Sequence, residues 1–487
     1  MPINREMLRS MNISEDHYIG GKRIASTDRF EVRSPLDWSE PIANMARGTA
    51  EDADRAVSAA RQAFPEWASL SAAERGTYLR RLADLIERNT DRIAETECLD
   101  VGLLLRSLKA RLVNRGAHNF RYYAELAENY EERTWSSKGT VNRVMRMPAG
   151  PAVIITPWNA PFMLSTWKTA PALAAGCTVV LKPPEWAPLS CSILASLADE
   201  AGLPPGVFNV IQGIGEEVGA ALVRHPDVRR IGFTGSPETG RFIAHAGAGN
   251  LVPITAELGG KGPFLVFEDC DIEAAAEKAA LQYDDAGQVC LAGTRLLVQK
   301  SIYDNFASAF FKYTDAHVLG DSREDHTTVA PLIHPDHLQR VEGFVERARA
   351  NGDKIVRGGH RTSIGGLWYE PTLIEPKSNE SEIVQNEVFG PVLTIQTFEN
   401  EEEAIALANS TKYGLSAIIY TASAERAERV GRAVRAGTVW TNCFLVRDLS
   451  APFGGTGISG IGREGGDYAL DFYSDLKTFQ VKEGTTE

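Results

Sequence analysis

Hydrophobic and polar positions divide the chain into a helical first quarter and a longer stretch that alternates strand-like and helical runs. After a polar lead-in, residues 51–70 and 71–99 read as two helices, the second opened by Ser71 and Glu74, a Ser-x-x-Glu capping box. From Pro151 the pattern changes to short β-rich runs at 152–156, 178–182, 207–211 and 231–234, separated by helical segments. That alternation predicts βαβ units around a parallel sheet. A second set follows, with strand-like 264–267, helical 272–283, strand-like 294–299 and helical 302–317, and further units run to about residue 441. Two such layers predict an α/β protein of two lobes with a cleft between them. Gly/Pro clusters at 148–151 and 259–263 are the best boundary candidates.

Composition and charge narrow the class. With 487 residues the chain has material for about three domain-sized units. An apolar share of 43% and a charged share of 24% exclude a disordered or fibrous chain. The net charge of −13 repels phosphate backbones and anionic lipid, which argues against nucleic acid and membranes as partners. No run reaches the ~18 apolar residues of a membrane helix. Residues 1–16 carry charges where a secretory signal would be apolar, so the expected address is cytoplasmic. The six cysteines, Cys98, Cys177, Cys191, Cys270, Cys290 and Cys443, lie at least 14 residues apart. That spacing excludes a Cys-x-x-Cys pair, a zinc knuckle and a disulfide framework, so any cysteine that matters acts as a thiol.

Several motifs bear on chemistry, each with a plainer alternative. Gly460-Ile-Gly462-Arg-Glu-Gly465 matches Gly-x-Gly-x-x-Gly as a string, but it follows no strand and reads as a loop. Gly215 lies in a glycine-rich turn that follows a strand and opens a helix, with its last glycine one residue late for that fingerprint. In Phe233-Thr-Gly235-Ser236-Pro237, a strand ends, the backbone turns, and Ser236 with Pro237 predicts an N-cap and first helical residue. Such an end suits a pyrophosphate, although any capped βα turn has the same form. Lys182-Pro-Pro-Glu185 offers a donor and an acceptor for a diol at a strand end, or simply two charges that meet water. Cys290, bracketed by glycines, is either a nucleophile or an inert core thiol. Glu257, ending an apolar strand, is either a general base of raised pKa or the partner of Lys261. No metal site is predicted, since His334-Pro-Asp-His337 reads as a helix start.

Taken in order, these segments resemble the aldehyde dehydrogenase superfamily. The resemblance rests on Thr156-Pro-Trp158-Asn159-Ala-Pro-Phe162, Lys182-Pro-Pro-Glu185, Phe233-Thr-Gly235-Ser236, Glu257-Leu-Gly-Gly-Lys261, Gly287-Gln-Val-Cys290, Glu387-Val-Phe389-Gly-Pro-Val392, Pro452-Phe-Gly-Gly and Ser459-Gly-Ile-Gly-Arg-Glu-Gly-Gly466. It implies that Cys290 attacks an aldehyde, that the Asn159 amide and the Cys290 N–H hold the oxyanion, and that Glu257 activates water. It implies NAD as cofactor, with Lys182 and Glu185 at the adenosine ribose, Gly215 beside the adenine, Ser236 at the pyrophosphate, and Glu387 and Phe389 at the nicotinamide ribose. Thr156, Trp158, Phe233 and Gly235 complete the cofactor set. Glu185 would accept from both ribose hydroxyls and repel a 2′-phosphate, favouring NAD over NADP.

The likeness is strongest to dehydrogenases of hydroxymuconic and carboxymethyl-hydroxymuconic semialdehydes, which implies Arg115, Arg447, Phe162 and Phe444 at the substrate, the arginines facing a carboxylate. Surface or interdomain salt bridges, such as Arg447 with Asp448, are the alternative. A broad enzyme for uncharged aldehydes, a CoA-acylating enzyme and a catalytically silent relative are the competing functions. The resemblance further implies two Rossmann-type lobes with a small β oligomerisation arm, and a homodimer or homotetramer. The expected divisions are a helical part of the NAD-binding domain at 1–130, the arm at 131–149, the rest of the NAD-binding domain at 150–258 and a catalytic domain at 259–447. A return segment at 448–476 and a C-terminal oligomerisation strand at 477–487 finish the chain.

Overall fold

The computed structural model describes Leu8 and residues 10–484, so the first and last few residues of the expected 1–130 and 477–487 segments lie outside the described residues. Two sheets organise the chain. The first has five parallel strands in the order Ile254–Glu257, Arg230–Thr234, Pro151–Ile155, Thr178–Lys182 and Phe208–Val210. Antiparallel edge strands close it, Gly460–Ile461 on one side and His17–Ile19 with Lys22–Ile24 on the other. The central strands are runs such as Thr-Val-Val-Leu-Lys, buried at every position, as expected where helices cover both faces. The second sheet has six parallel strands, ordered Thr372–Glu375, Val392–Phe398, Arg295–Gln299, Pro263–Val266, Ser416–Tyr420 and Thr438–Thr441, with Lys354–Arg357 antiparallel at its edge.

The strand Ile254–Glu257 of the first sheet runs through residues 258–262 directly into Pro263–Val266 of the second. The carboxyl edge of one sheet therefore faces the amino edge of the other, and the cleft lies between them.

A third, three-stranded sheet stands apart from both. Arg133–Ser137 and Thr140–Pro148 form a hairpin turning at Lys138 and Gly139, both with positive φ, the geometry that matches strand twist in a two-residue loop. Ser474–Lys482 pairs antiparallel along the whole of Thr140–Pro148, from Ser474 opposite Pro148 to Lys482 opposite Thr140. Trp135, Leu476 and Phe479 are exposed on it.

Two sequence readings need correction. The helix expected over 71–99 is two helices, Ala72–Arg88 and Thr90–Val101. Asn89 leaves helical geometry at φ −106°, ψ 17°, and its side-chain amide donates to the Leu85 carbonyl at 2.9 Å, satisfying an acceptor the ended helix exposes. The polar lead-in also contains strands, with Arg29–Ser34 and Asp37–Ala46 pairing antiparallel besides the two short edge strands. Bulges interrupt that pairing and Pro41 lies within it, so no clean two-residue alternation shows in the sequence. The capping box at Ser71 and Glu74 forms as expected.

Candidate active site

Although the chain visits Thr178–Lys182 and Phe208–Val210 between them, Pro151–Ile155 and Arg230–Thr234 are neighbours in the first sheet. The connections leaving these two strands diverge, which opens a crevice at the carboxyl edge, the usual ligand position in a doubly wound sheet. Thr156, Trp158 and Asn159 follow the first of these strands. Lys182 ends its neighbour, Phe233, Gly235 and Ser236 stand at the end of Arg230–Thr234, and Glu257 is the last residue of Ile254–Glu257.

On the nucleotide-like side, the buried Lys182 ammonium pairs with Glu185 at 2.6 Å, so these two charges meet each other and do not simply meet water. Burial raises the Glu185 pKa, but the Lys182 charge and hydrogen bonds including one from the Gly215 backbone outweigh it and hold the carboxyl below its usual range. A Cβ on Gly215 would lie 3.7 Å from the Glu185 carboxylate and 3.8 Å from Lys182, so the turn sits directly over the pair. Ser236 caps the helix Pro237–Ala248, its hydroxyl accepting from the Thr239 N–H at 3.1 Å. Phe233 folds its buried ring against Gly235. Thr156 is tied to Ser165 at 3.0 Å. Trp158 meets Phe389 edge-on at 5.3 Å and His337 at 5.2 Å, and His337 in turn hydrogen-bonds the Phe389 carbonyl at 2.7 Å.

The reactive side is assembled by one short segment. Leu258, Gly259 and Gly260 follow Glu257, and the Gly260 N–H donates to the Glu387 carboxylate at 2.8 Å. A Cβ on Gly259 would collide with that carboxylate, and one on Gly260 with the carbonyl of Cys290. Glycine is therefore required for a backbone that threads between two site residues. Asn159 comes in from the other lobe, its Nδ2 donating to the Gln288 carbonyl at 2.9 Å, two residues before Cys290. The loops around the site are strained: Ala286, Phe389, Asn442 and Leu445 all have positive φ.

Electrostatics distinguish the two carboxylates. Among the described residues, both oxygens of Glu257 are buried without a hydrogen-bond partner, so the alternative in which Glu257 pairs with Lys261 does not hold. Burial pushes its carboxyl well above the usual range, the Glu464 charge adds to this, and Lys168, Arg447 and Arg463 oppose it. Burial likewise lifts Glu387 to about 7, against the Gly260 N–H and the cations Arg340 and Lys261. The Cys290 thiol is raised to about 12 by burial and then by Glu387 and Glu257, with Arg447 and its own backbone N–H pulling the other way.

Three residues that sequence reasoning passed over belong here. Lys168, Glu464 and Trp167 form a buried set: the Lys168 ammonium pairs with Glu464 Oε1, Thr255 Oγ1 donates to the same oxygen at 3.3 Å, and the Trp167 indole N–H donates to Glu464 Oε2 at 2.6 Å. Glu464 lies inside the Gly-x-Gly-x-x-Gly string, whose first two residues pair with Ala256 and Glu257 as an edge strand. A charged residue among tightly turning glycines was the available signal.

Arg115 and Arg447 both lie over the Trp167 ring, with Cζ 5.7 Å and 5.4 Å from its centroid, and Arg447 also covers Phe453 at 3.8 Å. Among the described residues neither forms an ion pair. Asp448, the expected partner of Arg447 in the plainer reading, is instead bonded by Ser450. Burial first and then the Arg447 charge lower Arg115 to about 10, with Tyr123 and the Asp448 charge pulling the other way. Phe444 is half-buried, edge-on to Trp440 at 5.6 Å. Phe162, expected at the substrate, is not at an open surface: its ring is fully buried against Gly116, within the helix-lined core. The reason is its place in the first turn of Pro161–Ala174, a helix with polar and apolar residues alike buried along its length.

This arrangement of a cleft thiol, an unpartnered buried carboxylate and a carboxyl-edge crevice has known counterparts. The aldehyde dehydrogenase family profile matches residues 23–479. The chain is 42% identical over 476 residues to the betaine aldehyde dehydrogenase of Bacillus subtilis (strain 168), covering 96% of this chain and 97% of that protein. It is 39% identical over 482 residues to the 2-hydroxymuconic semialdehyde dehydrogenase of Pseudomonas sp. (strain CF600), covering 96% and 99%. A crystal structure of betaine aldehyde dehydrogenase from Staphylococcus aureus in complex with NAD+ superposes with a TM-score of 0.95 at 37% identity, covering 99% of this chain and 97% of that one. The chain belongs to the aldehyde dehydrogenase family.

Proposed function

We propose that the protein oxidises a carboxylate-bearing semialdehyde to the acid, with NAD as oxidant and Cys290 as nucleophile. The observation that carries the substrate class is the pair Arg115 and Arg447, two unpaired guanidiniums over Trp167 beside the reactive loop. A carboxylate between them would relieve their mutual repulsion and accept bidentate hydrogen bonds. The same feature argues against a quaternary ammonium aldehyde such as betaine aldehyde, because guanidinium already occupies the aromatic face that a cation would need. The 2-hydroxymuconic semialdehyde named for the Pseudomonas relative has the chemistry this receptor favours.

In this reading the Cys290 thiol gives up its proton to solvent water in the cleft, the thiolate attacks the aldehyde carbon, and the Asn159 amide and the Cys290 N–H hold the oxygen as it becomes an anion. Two preorganised donors of this kind are worth several kcal/mol between them, about 3 kcal/mol each. The residues at the crevice fit NAD: Lys182 and Glu185 form a paired donor and acceptor under the open turn at Gly215, Ser236 caps a helix start, and Glu387 is a buried carboxylate near an aromatic wall. Bound there, NAD supplies the acceptor for the hydride that leaves the thiohemiacetal carbon. Glu257, its pKa held well above the usual carboxylate range by burial and unpartnered among the described residues, then takes a proton from the water that cleaves the thioester. Such a base favours hydrolysis over transfer to CoA. The Glu185 carboxylate favours NAD over NADP. A cytoplasmic address and a homodimer or homotetramer built through the three-stranded arm are part of the same reading, supported by the exposed apolar side chains on that arm.

The test is product analysis with purified enzyme. One acid and one NADH per aldehyde, without CoA, is expected, and Cys290→Ser should abolish both. CoA-dependent turnover, or unimpaired turnover in Cys290→Ser, would overturn the proposal.

A further inference from the structure

Trp167 touches both halves of the site. Its ring, 5% exposed, carries Arg115 and Arg447 on the recognition side. Its N–H donates to Glu464 Oε2, while the other oxygen of that carboxylate is held by Lys168 and Thr255. Glu464 is in turn the charged neighbour that most strongly opposes ionisation of Glu257. The groups facing Glu257 are Glu464 and Arg463 from the segment after the edge strand, Lys168 from Pro161–Ala174, Arg447 from the loop after Thr438–Thr441, and the Cys290 thiol.

We propose that Trp167 is a positioning residue that couples recognition of the substrate carboxylate to the hydrolytic base, its ring holding the guanidiniums and its N–H fixing the Glu464 carboxylate that faces Glu257. The ring half rests on the reading of Arg115 and Arg447 as a carboxylate receptor, and the N–H half does not. Two consequences follow from charge. An aldehyde whose carboxylate pairs with Arg447 cancels a cation that favours ionised Glu257, so the base titrates at higher pH with that substrate than with a neutral one. Removal of the indole N–H leaves Glu464 Oε2 without its donor, so the carboxylate is no longer held toward Glu257 and turns to Lys168 and Thr255. Glu257 then loses a like-charged neighbour and titrates at lower pH.

The experiment compares wild type, Trp167→Phe and Trp167→Leu in kcat and KM against pH, with 4-carboxybenzaldehyde and benzaldehyde as a pair differing by one carboxylate. In wild type the acid limb of kcat should lie higher for the carboxylated aldehyde. Trp167→Phe, which keeps a ring, should move that limb down by about half a pH unit or more with either aldehyde. Trp167→Leu should raise KM for the carboxylated aldehyde at least about tenfold more than for benzaldehyde, the loss of a stacked, desolvated cation pair. Glu464→Gln, which still offers the indole an oxygen, should move the limb in the same direction as Trp167→Phe and guards against a folding defect. Equal kcat/KM for the two aldehydes in wild type would refute the carboxylate receptor and the coupling with it. A selective wild type whose acid limb is unmoved in both Trp167→Phe and Glu464→Gln would leave the receptor standing and overturn the role of Trp167.

Discussion

Cys290 rests as a neutral thiol. With burial and two carboxylates lifting it to about 12, the thiolate fraction at neutral pH is small and grows as pH rises. Alkylation of Cys290 by iodoacetamide, followed by peptide mass spectrometry, should therefore accelerate by about tenfold per pH unit from pH 7 to 10 without a plateau. Arg447→Leu removes the cation that favours the thiolate and should slow alkylation at every pH in that range. Glu257→Gln should retain a single-turnover burst of NADH yet lose about a hundredfold or more in steady-state kcat, because acylation survives and hydrolysis lacks its base. Cys290, Glu257 and Asn159 were legible in the sequence as candidates because each stands in a short, recognisable string. Lys168, Trp167 and Glu464 were not, because they act through contacts between residues almost 300 positions apart, Trp167 and Glu464 being separated by 297. Phe162 misled because its motif places it near the site in sequence while its first-turn position turns it into the core.

The strand-to-strand segment after Glu257 is the element on which the site geometry depends. Gly259→Ala places a methyl against the Glu387 carboxylate, and Gly260→Ala places one against the Cys290 carbonyl. Both should lose about a hundredfold in kcat/KM, the usual cost of displacing reacting groups by an ångström, and they should differ in kind. Gly259→Ala should act mainly on KM for NAD, and Gly260→Ala on kcat and on the alkylation rate of Cys290. A shared loss of melting temperature would mean the glycines serve folding alone. The central strands and the capped helix starts were legible because apolar runs and the Ser71 box are local signals. The break at Asn89 and the strands of residues 17–46 were not, since one is a single residue leaving helical geometry and the others are short, bulged or paired to distant partners such as Val210.

For the whole molecule, the passage from one sheet to the next through residues 258–262 carries the chain from the Glu257 carboxylate of the first lobe to the loop of the Cys290 thiol on the second, which no local pattern announces. The two-lobed α/β plan itself was legible from the alternation of strands and helices. The pairing of Ser474–Lys482 with Thr140–Pro148 joins segments more than 300 residues apart, and only resemblance suggested it. Val144 lies in the central strand of that arm, opposite both Arg133 and Thr478, so Val144→Pro must break a ladder bond on one side or the other. If the arm builds the oligomer, sedimentation should show a smaller species for Val144→Pro, whereas an unchanged mass would remove the arm from assembly. The central claim is that this fold presents a carboxylate receptor beside an aldehyde-oxidising thiol. The most direct measurement is NAD reduction with 2-hydroxymuconic semialdehyde and with benzaldehyde, compared as kcat/KM. A preference for the semialdehyde of about a hundredfold or more, roughly 2.7 kcal/mol in the transition state, is predicted. Equal or reversed rates would contradict it, leaving Arg115 and Arg447 as scaffold.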